Sequence, residues 1–477
     1  MDRAGRGLAW PIARRGLNHR GPTEPFEPSP RFVSTSRSTS SDAGTLLWAA
    51  VVALVVTRGY LLTSFEPDIS DVPFFWQNAV RAIDQQEVPY SSDFQIGYPP
   101  LAWAMMLAPR WIDPTEWSPR NESLLLGRYT RRFRAQMALF DLGAFLLLVL
   151  ILRRQSASRA AAGAWAYVII TAVFGNLLYD RFDVALLFLL LLGNYCWIRS
   201  TEPDEMASSW SQLAYVVLGL CVSLKLLPVV ALPLLLAGET VVRRKALPVL
   251  VAVGCWTVGA LFPFLWHMPL TGFGSFGFLA HHAGRGLQVE SLYASLLLCL
   301  APLGLPVEVH HTTNAWHVES PLSHALNLFA IGVLVFWGLA FAAWGLWRGR
   351  QAGLIRVGMA ASVAIAGVPI LSHVLSPQYL IWATILLIWP AARLLPRHRY
   401  WLLLTLLIVV ALLTTWLFPY NYFSADADGN TINPHALLPA LAWQATAVLV
   451  TRNLLFLSLV GWLTTAVLRR GASSEPT

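Results

Sequence analysis

The chain has 477 residues, of which 56% are hydrophobic and 13% charged, and it carries a net charge of +8. Soluble domains carry roughly 25% charged residues, so this composition argues against a water-soluble enzyme, and against disorder outside the termini. At about 20 residues per span the apolar content supplies about twelve transmembrane helices, and its continuous rather than alternating runs speak against a β-barrel.

Residues 1–43 are rich in Arg, Ser, Pro and Gly without an apolar run, and read as a disordered cytoplasmic tail rather than a signal peptide. Twelve apolar segments follow, over about 44–63, 134–152, 160–178, 183–198, 211–224, 226–241, 247–266, 322–347, 354–373, 377–393, 400–418 and 442–468. Basic residues orient them. With the N-terminal tail in the cytoplasm, 22 Lys and Arg fall in inside segments and three (Arg181, Lys225 and Arg285) in short outside ones. The expected fold is therefore an all-α polytopic membrane protein with both termini inside. A transmembrane domain would span 44–470, followed by a short cytoplasmic tail over 471–477. This placement gathers most of the unexplained polar residues on the outer face. Ionisable groups at membrane depth are costly and usually functional.

The first outer loop, 64–133, opens with Asp68 and Asp71 and continues through Pro89-Tyr-Ser-Ser-Asp93-Phe to Gly97-Tyr98-Pro99-Pro100. Residues 73–86 predict an amphipathic helix whose Phe74, Phe75, Val80 and Ile83 can lie on the membrane. Residues 100–112 are apolar but too short to span, and predict a juxtamembrane helix. Asp71 before Val-Pro suits a helix N-cap; equally, a headgroup-level carboxylate can deprotonate a hydroxyl nucleophile.

Tyr179-Asp180-Arg181-Phe182-Asp183 forms a tight outer turn with two acids around an arginine. This fits a local ion pair with helix capping, or side chains that orient a sugar. Lys225 interrupts an apolar stretch before Leu-Leu-Pro228. An ammonium there requires an anion or a route to water, and phosphate is a suitable anion; the alternative is snorkelling of its stem.

The second outer loop, 267–321, carries His281-His282, Arg285, Gln288 and Glu290. Its apolar run 292–303 reads as re-entrant or interfacial. Arg285 suits a phosphate. His281, His282, His310 and His311 raise the idea of a metal, but adjacent histidines point apart and no carboxylate stands at zinc-like spacing. His373 and Ser376-Pro-Gln378-Tyr379 occupy a further outer turn. The four cysteines, Cys196, Cys221, Cys255 and Cys299, form no CxxC pair. No serine-hydrolase, zincin or Walker motif occurs.

Taken in order, the acidic pair, Pro-Tyr-x-x-Asp-Phe, Tyr-Pro-Pro-Leu, Arg-Phe-Asp, Leu-Lys-x-x-Pro, Arg-Gly-Leu-Gln-x-Glu-Ser and Ser-Pro-Gln-Tyr segments resemble GT-C glycosyltransferases. They are most similar to glycosyltransferase family 87, the bacterial polyprenyl-phosphate-mannose-dependent mannosyltransferases. The resemblance runs from about residue 44 to 395. It implies a bacterial plasma-membrane enzyme that transfers a sugar, by family default mannose, from a polyprenyl-phosphate donor to a lipid or glycan hydroxyl, with inversion, at the periplasmic face. By the same resemblance Asp71 is the base, with Asp68 its competitor. Lys225, Arg285 and His282 bind the donor phosphate. Asp93, Tyr98, Asp180, Arg181, Asp183, Gln288, Glu290, His373 and Gln378 line the sugar and acceptor pocket. No cofactor, metal or nucleic acid is implied.

Two other classes share parts of this pattern. A lipid transporter or flippase would suit the broken 211–241 segment, although transporters place charges near the midplane and show related halves. A polysaccharide ligase or polymerase with lipid-pyrophosphate donors would share the cationic pocket without requiring Asp71.

Overall fold

The computed structural model describes residues 36–65, 70–243, 246–312, 315–419, 421 and 442–469. Asp68 lies outside these residues, and so do the side chains of His281 and His282.

The chain is an α-helical multi-pass membrane protein. Among the described residues, seven helices are long and apolar enough to cross a bilayer. They are α1 (Ser36–Thr63), α4 (Glu122–Arg153), α7 (Ala207–Leu224), α9 (Ala246–Thr271), α12 (Ser323–Leu371), α15 (Arg397–Leu417) and α16 (Trp443–Leu468). Among the intervening helices are α2 (Val72–Ile83), α3 (Pro100–Trp111), α5 (Ala157–Val173), α6 (Asp183–Arg199), α8 (Leu232–Arg243), α10 (Gly277–Ala283) and α11 (Leu292–Leu300). Two more, α13 (Tyr379–Leu386) and α14 (Ile388–Leu394), join end to end. Each of the twelve expected segments contains helix. Two of them lie within α12, which breaks at Gly353, where φ is 76°. Only a residue without Cβ adopts that backbone readily.

Glycine also sets the closest helix crossing. A Cβ on Gly259 would fall 2.0 Å from the Val216 carbonyl oxygen, and one on Gly219 would fall 2.3 Å from that of Trp256. Backbones of α7 and α9 thus touch directly, as small residues permit in lipid, where burial of apolar surface offers no driving force. Elsewhere α9 turns Leu250, Phe262, Leu265 and Trp266 outward, as a lipid-facing helix does.

One helical pair is surrounded on every side. From Leu380 to Ala392 every residue of α13–α14 is buried. A helix apolar all round belongs in the centre of a bundle, and the indoles of Trp382 and Trp389 find polar partners there in Asp183 and Ser362.

The expected amphipathic helix is α2, but its apolar face does not lie on lipid. Val72, Phe75, Trp76, Ala79 and Val80 are buried, and only Phe74 of the expected membrane-facing set is exposed. The reason is α3 and α4, which pack against it and offer a protein surface in place of acyl chains. A second difference is a β-hairpin, β1 (Glu308–Thr312) with β2 (Ala315–Glu319), within the second outer loop, where no strand is expected. His310 lies 3.2 Å from Glu308, while the ring of His311 packs on Trp316. Facing opposite ways on one strand, they form no paired metal site.

Candidate active site

The turn between α5 and α6 is the organising element. A single-turn helix over Gly175–Leu178 leads into Tyr179, and the next residues each take a different partner. The Tyr179 hydroxyl donates to Asp141 Oδ2 at 2.8 Å, deep in the bundle. Asp141 also accepts from Arg58 Nε at 2.8 Å and from the Tyr167 hydroxyl at 2.7 Å. Asp180 is held by Arg134 at 2.9 Å. Phe182 enters an aromatic cluster with Phe75, Phe133 and Tyr98, at centroid distances of 4.8, 5.4 and 5.6 Å. Offset and edge-on rings of this kind fix neighbouring segments to one another.

The two remaining residues reach Asp71 and Lys225. Arg181 forms an ion pair with Asp71. Asp71 occupies the N-cap position of α2, yet its side chain makes no capping bond; the Val72 amide donates instead to Ser70 Oγ at 3.1 Å. The capping role is thus taken by Ser70. The Asp71 side chain retains 32% exposure, so water and solutes reach it.

Asp183, two residues after Arg181, accepts from Lys225 Nζ at 2.6 Å. Lys225 ends α7 in an extended conformation, and the chain resumes as a short helix over Leu227–Ala231. The break turns its ammonium inward, 4.2 Å from the ring centre of Tyr379, where the π-face adds to its attraction. Snorkelling to the interface is therefore not its arrangement.

Further basic groups stand beside this pair. Burial pushes the Tyr98 phenol well above its ordinary pKa; Arg285 opposes the shift, while Tyr379 and Asp183 add to it. Tyr98 thus lies within the field of both the arginine and the Asp183 end of the site. Burial lowers the pKa of His373, and Arg285 and His317 lower it further. The buried atoms Arg285 Nε and His373 Nδ1 have no hydrogen-bond partner among the described residues. Such orphans are costly and suit a ligand with acceptor oxygens. Gln288 ties the two segments together: its amide nitrogen donates to the His373 carbonyl and its side chain to Ser376 Oγ, both at 3.0 Å.

Of the residues singled out from sequence, the structure brings together Asp71, Arg181, Asp183, Lys225, Tyr98, Arg285, His373 and Gln288. Gln378 is half-buried at the start of α13, next to Tyr379. Three others stand apart. Asp93 is exposed at the loop surface, with Ser92 as its hydrogen-bond donor. Asp180 faces Arg134. Glu290, fully buried, pairs with Arg452 of α16, which also donates to the Glu290 carbonyl at 3.0 Å. Sequence reasoning missed Trp382 and His317, and named Tyr379 only as the end of the Ser376–Tyr379 turn. The alternation of Glu308-Val-His-His-Thr and Ala315-Trp-His-Val-Glu around Thr313-Asn314 was the available sign of the hairpin that carries His317. Among the described residues no three His, Cys, Asp or Glu side chains gather as a metal cage.

No family model matches the chain, and no curated protein matches it. Among solved structures it is similar to ArnT from Cupriavidus metallidurans bound to undecaprenyl phosphate, at 16% identity and a TM-score of 0.44, covering 90% of this chain and 77% of that one. It is also similar to the archaeal oligosaccharyltransferase AglB from Archaeoglobus fulgidus in complex with an inhibitory peptide and a dolichol-phosphate. There the identity is 12% and the TM-score 0.40, over 90% of this chain and 56% of that one. ArnT from Cupriavidus metallidurans in the apo state gives 16% identity and 0.37 over 90% and 78%. Likeness of this degree leaves the reading of the site to its own residues.

Proposed function

We infer that the chain is a membrane glycosyltransferase of the GT-C type. It would move a sugar, by family default mannose, from a polyprenyl-phosphate donor to a lipid or glycan hydroxyl at the periplasmic face of a bacterial plasma membrane. The observation that carries this reading is the pairing made by one turn: Arg181 holds the carboxylate of Asp71, and Asp183 holds the ammonium of Lys225. A base and a phosphate-binding cation are thereby anchored two residues apart.

The chemistry follows from those groups. The acceptor oxygen attacks the anomeric carbon while Asp71 takes its proton. Arg181 engages Asp71 Oδ2, and the partly exposed carboxylate is open to the hydroxyl. The bond from the anomeric carbon to the phosphate oxygen breaks, and the electron pair stays on that oxygen. The phosphodiester, with one negative charge, becomes a phosphomonoester with two. Lys225, 16% exposed, and Arg285, half-buried, answer the added charge, and fixed cations so placed count for more than in solution. Attack from the face opposite the leaving group gives inversion.

The test is transfer by purified protein in detergent, with labelled polyprenyl-phosphate-mannose and host lipid extract as acceptor. Wild-type transfer that disappears in Asp71→Asn while donor still binds supports both the activity and the base. A wild-type protein that neither binds nor consumes any polyprenyl-phosphate sugar sinks the reading.

A further inference from the structure

His317 belongs to a hairpin that sequence motifs leave unassigned, yet it is 5% exposed and stands within the site. The strand β2 continues the hairpin's pairing onto the Arg285 segment. Val318 donates to the Leu287 carbonyl at 2.8 Å, and Val289 donates to that of Trp316 at 2.9 Å. These bonds set His317 opposite Gln288 as a bridge pair. Directly opposed residues share one face of such a ladder, and the Gln288 side chain on that face reaches Ser376, three residues beyond His373. The imidazole also lies against the backbone after Arg285. A Cβ on Gly286 would stand 3.2 Å from His317 Nδ1, so residue 286 leaves the room that the ring uses.

Three basic side chains from three segments therefore converge: Arg285, His317 and His373. Through-space effects of Arg285 and His317 on His373 agree with that geometry. The hairpin's own acids, Glu308 and Glu319, lie two positions along the ladder from the His310–His317 pair, and their side chains, about three-quarters exposed, meet His310 at the surface. Lys225 shares charge with Asp183.

We propose that His317, delivered by the hairpin, is a phosphate-binding residue that grips the leaving group once it has separated from the sugar. This rests on the transferase reading above. A phosphomonoester carries nearly two negative charges at neutral pH, since its second pKa is about 6, and a diester carries one. A group that meets the extra oxygen and charge binds the product and the transition state more tightly than the donor, which is the condition for accelerating the step.

The experiment uses the full chain in detergent and two sugar-free probes: farnesyl phosphate, a dianion, and its methyl ester, a monoanion. Wild type is expected to prefer the dianion. His317→Gln, which keeps bulk and a donor but no charge, is expected to weaken the dianion by roughly tenfold or more while changing the monoanion less than about threefold. Gly286→Ala presses on the ring without removing it, and a smaller loss with the same preference is expected. It decides the matter if His317→Gln fails to fold. Equal losses for both probes, or no loss in a wild type that binds, overturn this assignment alone. A wild type that binds neither probe overturns the transferase reading with it.

Discussion

Asp183 Oδ1 accepts from both Lys225 Nζ, at 2.6 Å, and the indole of Trp382, at 2.9 Å. One oxygen of a buried carboxylate thus joins the break after α7 to the central helix α13. Lys225→Ala should therefore do two things at once. It removes the proposed phosphate ligand and strands a buried anion, a loss of about 3–5 kcal/mol of stability. The double variant Lys225→Met with Asp183→Asn should recover most of the thermal stability and none of the donor affinity. Unfolding temperature and donor binding, measured on both proteins, separate the two roles.

Arg285→Ala should behave differently. Its Nε has no partner among the described residues, so truncation orphans no carboxylate there. Donor affinity should fall roughly tenfold to a hundredfold, as for loss of a charged hydrogen bond, with an unfolding temperature close to wild type. A large drop in that temperature would refute the distinction from Lys225.

Asp71→Asn should lower turnover by about 10²- to 10⁴-fold, the usual range for a general base. The KM for donor should change little. Because Ser70 takes the capping bond, the helix α2 should be unaffected and circular dichroism should match wild type, while loss of the charge opposite Arg181 should lower the unfolding temperature modestly. Conversely, Ser70→Ala should cost about 1 kcal/mol of stability and leave turnover near normal.

Glu290 illustrates a residue whose conspicuous sequence position has a structural explanation. Neither it nor Arg452 has any exposed side-chain area. Arg452→Met alone should destabilise the protein by about 3–5 kcal/mol, whereas Glu290→Met with Arg452→Leu should restore much of that. If the double variant regains its fold but loses transfer, Glu290 acts in the site as well.

Gly259→Val should prevent α7 and α9 from meeting, since backbone, not a flexible side chain, occupies the space. Expression of folded protein is the readout, and near-normal yield would show that the crossing can open.

The helices were readable because lipid imposes long uninterrupted apolar runs, and the break at Lys225 was readable because a charge and Pro228 interrupt one. Partners were not. Arg58 meets Asp141 across 83 positions and Arg452 meets Glu290 across 162, and no local periodicity encodes such distances. Sequence could not separate Asp180 from Asp183 either. Three residues apart around one turn, they face Arg134 and Lys225. The hairpin was illegible for another reason: its two five-residue strands are too short for their alternation to stand out in a polar loop.

The enclosure of α13–α14 bears on how the chain is made. With protein on every side, this pair has no face selected for contact with acyl chains. During synthesis it leaves the ribosome after α4, α5, α6 and the two halves of α12, whose surfaces it fills. Its resting place thus exists only once those helices are in the bilayer. The helices α15 and α16, made afterwards, also pack on α14, so the pair enters a half-built bundle that only these last two helices close, and a chain truncated after Leu394 would leave that flank of α14 open to lipid.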